Sequence, residues 1–237
     1  MAIGHGPVLA YARSAAALLG PDGATLEEAV ASGVQRADQL GFFAGDVTDG
    51  YGLVHKLAVA AGATPEMMNS AYQESRALLG TQDAPIRAPE DLAAVLARIG
   101  ATSRVVLVTN APDIQLDYAL SSLGLDGHFH AVHSSAAKPA GLRVRVENWL
   151  AEGRVLSIGD IWENDLAPVA ELGGQTALVG NPSGNARPDF ASPTLPGLYN
   201  AIIAWAETDS PVLHSPGNST HAAVRTQSAT DKEHYQS

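Results

Sequence analysis

Two carboxylates stand where an apolar strand runs out. The run from Arg154 to Ile158 ends in Gly159, then Asp160 and Asp165 follow, and Leu166, Val169 and Ala170 mark one face of a helix. Open α/β sheets place their ligands beyond the carboxyl ends of such strands. Two acids this close can hold a hard cation such as Mg2+, which takes carboxylate oxygens. Asp160 is the harder of the two to explain as structure, because an acid directly after a buried strand is costly unless paired. Asp165 also suits the first turn of the following helix, where negative charge is favourable. Two more groups fit an anion site. Thr109-Asn110 ends the apolar run Arg104–Val108, and Lys138 lies in Ser134-Ser135-Ala136-Ala137-Lys138-Pro139. The Thr109 hydroxyl can donate to an oxyanion, and the compact Lys138 ammonium can neutralise one. Asn110 would shape the loop or touch substrate. Taken singly, Thr109 is also a turn cap and Lys138 a solvated loop lysine.

The elements that must position these residues alternate from residue 86 onward. Pro89-Glu90-Asp91 opens a helix with Leu92, Val95, Leu96 and Ile99 on one face, and Gly100 closes it. Arg104–Val108 is a continuous β-branched run, the pattern of a strand covered on both faces. Helices around Leu116–Leu123, Leu142–Leu150, Leu166–Leu172 and Leu198–Trp205 alternate with strands at His128–His133, 154–158 and Thr176–Val179. This order predicts an α/β fold: a Rossmann-like parallel sheet covered by helices on both faces. Residues 21–85 differ. Leu26, Val30, Val34 and Ala37 give one helix, Leu53–Ala61 a second, and Thr64-Pro65 caps and opens a third. This all-helical stretch is expected as a cap over the carboxyl edge of the sheet. The expected organisation is an α/β core from 1–20 and 86–206, a helical cap at 21–85, and a polar, disordered tail at 207–237. Asn218-Ser219-Thr220 in that tail matches a glycosylation sequon but carries no weight.

Composition bounds the function. The chain has 237 residues and a net charge of −11, which argues against a nucleic-acid surface. It does not exclude a small anionic substrate held in one local pocket. Cysteine is absent, so thiolate catalysis, zinc-thiolate sites and disulfides are excluded. The N-terminal stretch does not read as a signal peptide, and no apolar run reaches membrane-spanning length. A soluble cytoplasmic protein is the expectation. Oligomeric state is open.

Three features now fall in one order: Val105-Val106-Leu107-Val108-Thr109-Asn110, then Ser134 to Pro139 with Lys138, then Gly159-Asp160 with Asn164-Asp165. Over residues 86–206 this order resembles the haloacid dehalogenase (HAD) superfamily, and residues 21–85 resemble its helical cap. The resemblance implies enzymes that pass a phosphoryl group to an aspartate nucleophile or displace a halide with it. It implies phosphate binding by Thr109, Asn110 and Lys138, catalytic roles for Lys138, Asp160 and Asp165, and Mg2+ held by Asp160 with Asp165 as a second ligand or as the group orienting Lys138.

The family's first motif, a strand followed by Asp-x-Asp, has no clear match. The best positional match is Pro7-Val8-Leu9-Ala10, which puts Tyr11 and Arg13 where the two acids belong. Neither side chain can replace them, since Tyr11 is a poor nucleophile at neutral pH and Arg13 stays protonated. On this reading Arg13 would pair with Asp160 in place of the metal. The alternative is an Ala-rich helix over residues 7–19, which leaves the first strand absent and the sheet with an unfilled position or an altered edge. Asp22, in Leu18-Leu19-Gly20-Pro21-Asp22-Gly23, reads as a turn. Gly45-Asp46-Val47-Thr48-Asp49-Gly50 has two acids at the wrong separation and reads as a turn or a loop over the site. His5 reads as a solvated histidine. Three functions follow: a phosphatase-type hydrolase acting on a small phosphorylated metabolite, a non-catalytic pseudoenzyme that binds an anion, or an enzyme using the scaffold for other chemistry.

Overall fold

The computed structural model describes residues 4–41, 43 and 47–208. Asp46 and residues 209–237, which include most of the polar tail and its sequon, lie outside the described residues. Four helices come first: α1 (Gly6–Leu19), α2 (Leu26–Leu40), α3 (Gly50–Ala60) and α4 (Pro65–Ala77). They pack on one another around Val8, Tyr11, Ala12, Ala15, Val30, Val34, Val54 and Ala71. The expected caps form, with Thr64 Oγ1 accepting from Met67 N–H at 3.3 Å.

Of the two readings of residues 7–19, the helix forms and the strand at Pro7–Ala10 does not. Those residues open α1, with Pro7 in its first turn. The reason is in the spacing. Val8, Tyr11, Ala12 and Ala15 recur at helical intervals and form the buried stripe, and the alanines around them favour helix. Residues 6–19 therefore pack with the helical unit rather than with the sheet. Arg13 faces Glu27 at 3.5 Å and the Asp83 carbonyl, so it does not replace a metal beside Asp160.

The α/β part begins with α5 (Leu92–Gly100) and β1 (Val106–Val108). It continues through α6 (Leu116–Ser122), β2 (Ala131–His133), α7 (Ala140–Glu152) and β3 (Leu156–Gly159). A π-helical turn at Trp162–Leu166 leads into α8 (Ala167–Glu171). β4 (Gln175–Val179), β5 (Phe190–Ser192) and α9 (Tyr199–Glu207) complete it. Glu207, expected in the tail, closes α9 and grips Arg98 of α5 with two hydrogen bonds of 2.7 and 3.0 Å.

All strand pairs are parallel, but they form two separate ladders, β1–β2 and β3–β4–β5. The same helical layers cover both. Val108 of β1 and Val155, just before β3, pack into one cluster with Val146 of α7 and Val169 of α8. On the other face Leu107 packs with Leu92 and Tyr199, and Leu156 with Ile99 and Ile202, while Leu195 joins the two groups. β1 and β3 thus share the same helical layers, yet no main-chain hydrogen bond joins them among the described residues. Exposure agrees. β4, inside its ladder, buries Thr176, Ala177 and Leu178, whereas Ile158 of β3 is 42% exposed. Among the described residues the sheet is thus interrupted between β1 and β3.

Candidate functional site

The loops after β1, β2 and β3 converge at the carboxyl edge. After β1, Thr109 donates its amide to the His133 carbonyl at 2.9 Å and accepts from Ala136 N–H at 2.9 Å, tying the first loop to the second. Thr109 Oγ1 accepts the Ala111 amide at 3.1 Å. That is the turn-capping role, and it leaves the hydroxyl proton available to an anion. Asn110 clamps the second loop: its amide nitrogen donates to the Lys138 carbonyl at 3.2 Å, and its Oδ1 accepts the Lys138 amide at 2.6 Å.

Lys138 extends to the third loop, where its Nζ meets Asp165 Oδ1 at 2.5 Å. Both side chains are largely buried, at 16% and 10% exposure. The other Asp165 oxygen accepts from Ile161 N–H at 3.2 Å, and Ser157 Oγ holds the Asp165 carbonyl at 2.7 Å. The π-helical turn makes this possible by returning residue 165 to the strand end. Gly159 is required there, because a β-carbon on it would stand 2.4 Å from the Asp165 β-carbon. The Lys138 loop itself is bent, with Ser135 and Ala137 at φ of 45° and 53°, a conformation non-glycine residues adopt at a cost.

Asp160 lies at the mouth of this arrangement and is exposed. Crowding by the surrounding protein, followed by the charge of Asp165, raises its carboxyl above the usual range, and Lys138 opposes the rise. Asp160 makes no side-chain hydrogen bond among the described residues, whereas both oxygens of Asp165 are engaged. Asp165 is therefore engaged in orienting Lys138, while Asp160 keeps its carboxylate open to a ligand. Among the described residues no three acids or histidines cluster to hold a metal. Asp165 takes the alternative role, holding Lys138.

A cleft of about 640 Å³ separates this edge from the helical unit. Ile161, Glu163 and Asn164 line one side, and Thr48, Asp49, His55 and Lys56 the other. Asp49 caps α3, accepting from Gly52 N–H at 2.7 Å. His55 and Lys56 carry no sequence motif that singles them out. His5 is exposed and bonded to Asp38 at 2.8 Å, and Asp22 sits in an exposed 3-10 turn, so neither enters the site.

Among solved structures, YfnB of Bacillus subtilis, described as a HAD-hydrolase and bound to magnesium, is similar to this chain. The TM-score is 0.52 at 16% identity, covering 81% of this chain and 91% of that one. The protein has the haloacid dehalogenase-like fold. L-2-haloacid dehalogenase from Xanthobacter autotrophicus (14% identity, 82% and 92% covered, TM-score 0.49) and a HAD phosphatase from Thermococcus onnurineus (16%, 82% and 87%, 0.47) are also similar. By sequence, no family model and no curated protein matches the chain. No described helix is long and apolar enough to cross a membrane. Within the haloacid dehalogenase-like fold, Thr109, Asn110, Lys138, Asp160 and Asp165 share the carboxyl edge, while Tyr11 and Arg13 belong to the helical unit.

Proposed function

We propose that the protein is a HAD-type, phosphatase-like hydrolase whose carboxyl edge receives a small phosphorylated molecule. The observation that carries this is the Lys138 ammonium, fixed by Asp165 at 2.5 Å on a loop clamped by Asn110. One of its three protons is used by Asp165, which leaves two for phosphate oxygens. The free Thr109 hydroxyl proton adds a second donor. Preorganised donors of this kind stabilise developing charge without reorganising during reaction. The cleft toward His55 and Lys56 would hold the rest of the substrate. Asp160, with its raised carboxyl, is the group available for proton transfer.

A second reading, anion binding without turnover, is favoured by one observation. Among the described residues no strand joins the ladder of β1 to that of β3, and Tyr11 and Arg13, at the positions of the first motif, lie in helix α1. Asp46, outside the described residues, stands one residue before Val47 in the sequence and is an acid to test as the attacking carboxylate. The experiment is hydrolysis of a chromogenic phosphate ester, with and without Mg2+, by the wild type, Asp160→Asn and Asp46→Asn. Turnover lost in Asp160→Asn supports the hydrolase. Saturable phosphate binding without turnover supports the second reading.

A further inference from the structure

Arg76, in the last turn of α4, is buried at 8% exposure, and no carboxylate of the described residues pairs with it. Its Nη1 donates to the Tyr51 hydroxyl at 3.4 Å, and its Nε is the one buried side-chain polar atom of the described residues without a partner. An unpaired buried cation is strongly destabilising, so this guanidinium needs compensation. Tyr51 and Tyr72 feel its charge, as they also feel the Asp49 carboxylate, and with Tyr11 they make a triangle of rings. Tyr11, Tyr51 and Tyr72 stand with ring centroids 5.6 to 5.9 Å apart, contributed by three different helices. The hydroxyls of Tyr11 and Tyr72 make no hydrogen bond among the described residues, yet neither is sealed from solvent without a partner. Both hydroxyls, like Nη2 of Arg76, therefore keep some contact with solvent. Tyr51 lies between Asp49 and Gly52, which belong to the wall of the cleft.

We propose that Arg76 and the hydroxyls of Tyr11, Tyr51 and Tyr72 form a pocket for a small oxyanion, a carboxylate or a phosphate, on the helical side of the cleft. The guanidinium supplies the charge and a planar pair of donors. The phenols supply neutral donors, and the rings exclude water and so strengthen the charged contact. Burial holds the Tyr11 phenol at about 12, so it stays a donor at neutral pH. The pocket lies in the helical unit, and its occupation does not depend on turnover at Lys138.

The test is calorimetric titration of the full chain with acetate and, separately, with inorganic phosphate, at constant ionic strength set with chloride. Perturbation of tyrosine absorbance is followed in parallel. The wild type is expected to bind at least one probe saturably, with a tyrosine signal, and the probe that binds names the anion. Arg76→Gln should weaken that binding at least 30-fold. Tyr11→Phe with Tyr72→Phe, which keeps both rings and hence the packing, should weaken it about 10-fold, the loss of two modest hydrogen bonds. If Arg76→Gln does not fold, the tyrosine pair decides. Binding equal in the wild type and the tyrosine pair, or no saturable binding of either probe, overturns the proposal.

Discussion

Lys138 and Asp165 meet at 2.5 Å across 27 residues of sequence, and that contact joins the loop after β2 to the loop after β3. It fixes the ammonium at the carboxyl edge while the second Asp165 oxygen binds the Ile161 amide. The pair is therefore both a positioning device and a stabilising one.

Removing one partner leaves the other charge largely buried and alone. Asp165→Ala should cost about 3 kcal/mol in urea unfolding. Replacing both, with Lys138→Met and Asp165→Leu, should recover most of that loss and abolish phosphate binding. A double-mutant cycle gives the coupling directly. Additive single losses would mean that the contact contributes nothing to stability.

Gly159→Ala tests the same contact sterically. The new methyl meets the Asp165 β-carbon, which is fixed to the backbone and cannot swing aside. A loss of about 2 kcal/mol is expected from overpacking. Gly153→Ala is the control, because a β-carbon there meets nothing within 4 Å. Equal melting temperatures for the two variants would contradict the strict need for glycine at 159.

The site residues after β1, β2 and β3 were legible in the sequence because continuous apolar strands stop at polar residues. Thr109 and Asp160 each follow such a stop, whereas Lys138 stands out only through the order of the three motifs. The pairing of Asp165 was not decidable from spacing, since a first-turn acid and a lysine partner look alike until a π-helical turn brings residue 165 back. β5 went unread because Phe190–Ser192 is three residues long and stands between Pro188 and Pro193. Arg76 went unread because an arginine near a helix C-terminus is normally a solvated charge meeting the dipole. Only the packing of α1, α3 and α4 shows it buried.

Asn110→Ala separates positioning from folding. Its two hydrogen bonds to Lys138 lie in an exposed loop, so their removal should lower stability by less than about 1 kcal/mol. The Lys138 loop would then lose its clamp, and phosphate affinity should fall several-fold while the melting temperature changes little. A large stability loss with unchanged affinity would instead make Asn110 a structural residue only.

Asp160→Asn carries a pH signature. The folded protein holds the Asp160 proton more tightly than the ordinary carboxyl value of 3.8 implies, through crowding first and the Asp165 charge second. As pH rises from that value, the unfolded chain releases its proton before the folded chain does. The unfolded state then binds fewer protons, and wild-type stability falls with pH until the folded group has also ionised. Asparagine has no such penalty. The stability of Asp160→Asn relative to wild type should therefore increase as pH rises above 3.8 and level off once Asp160 is ionised. Urea midpoints at several pH values between about 3 and 7 measure this. A constant difference across that range would show that Asp160 titrates alike in both states, and would remove its candidacy as the proton-transfer group.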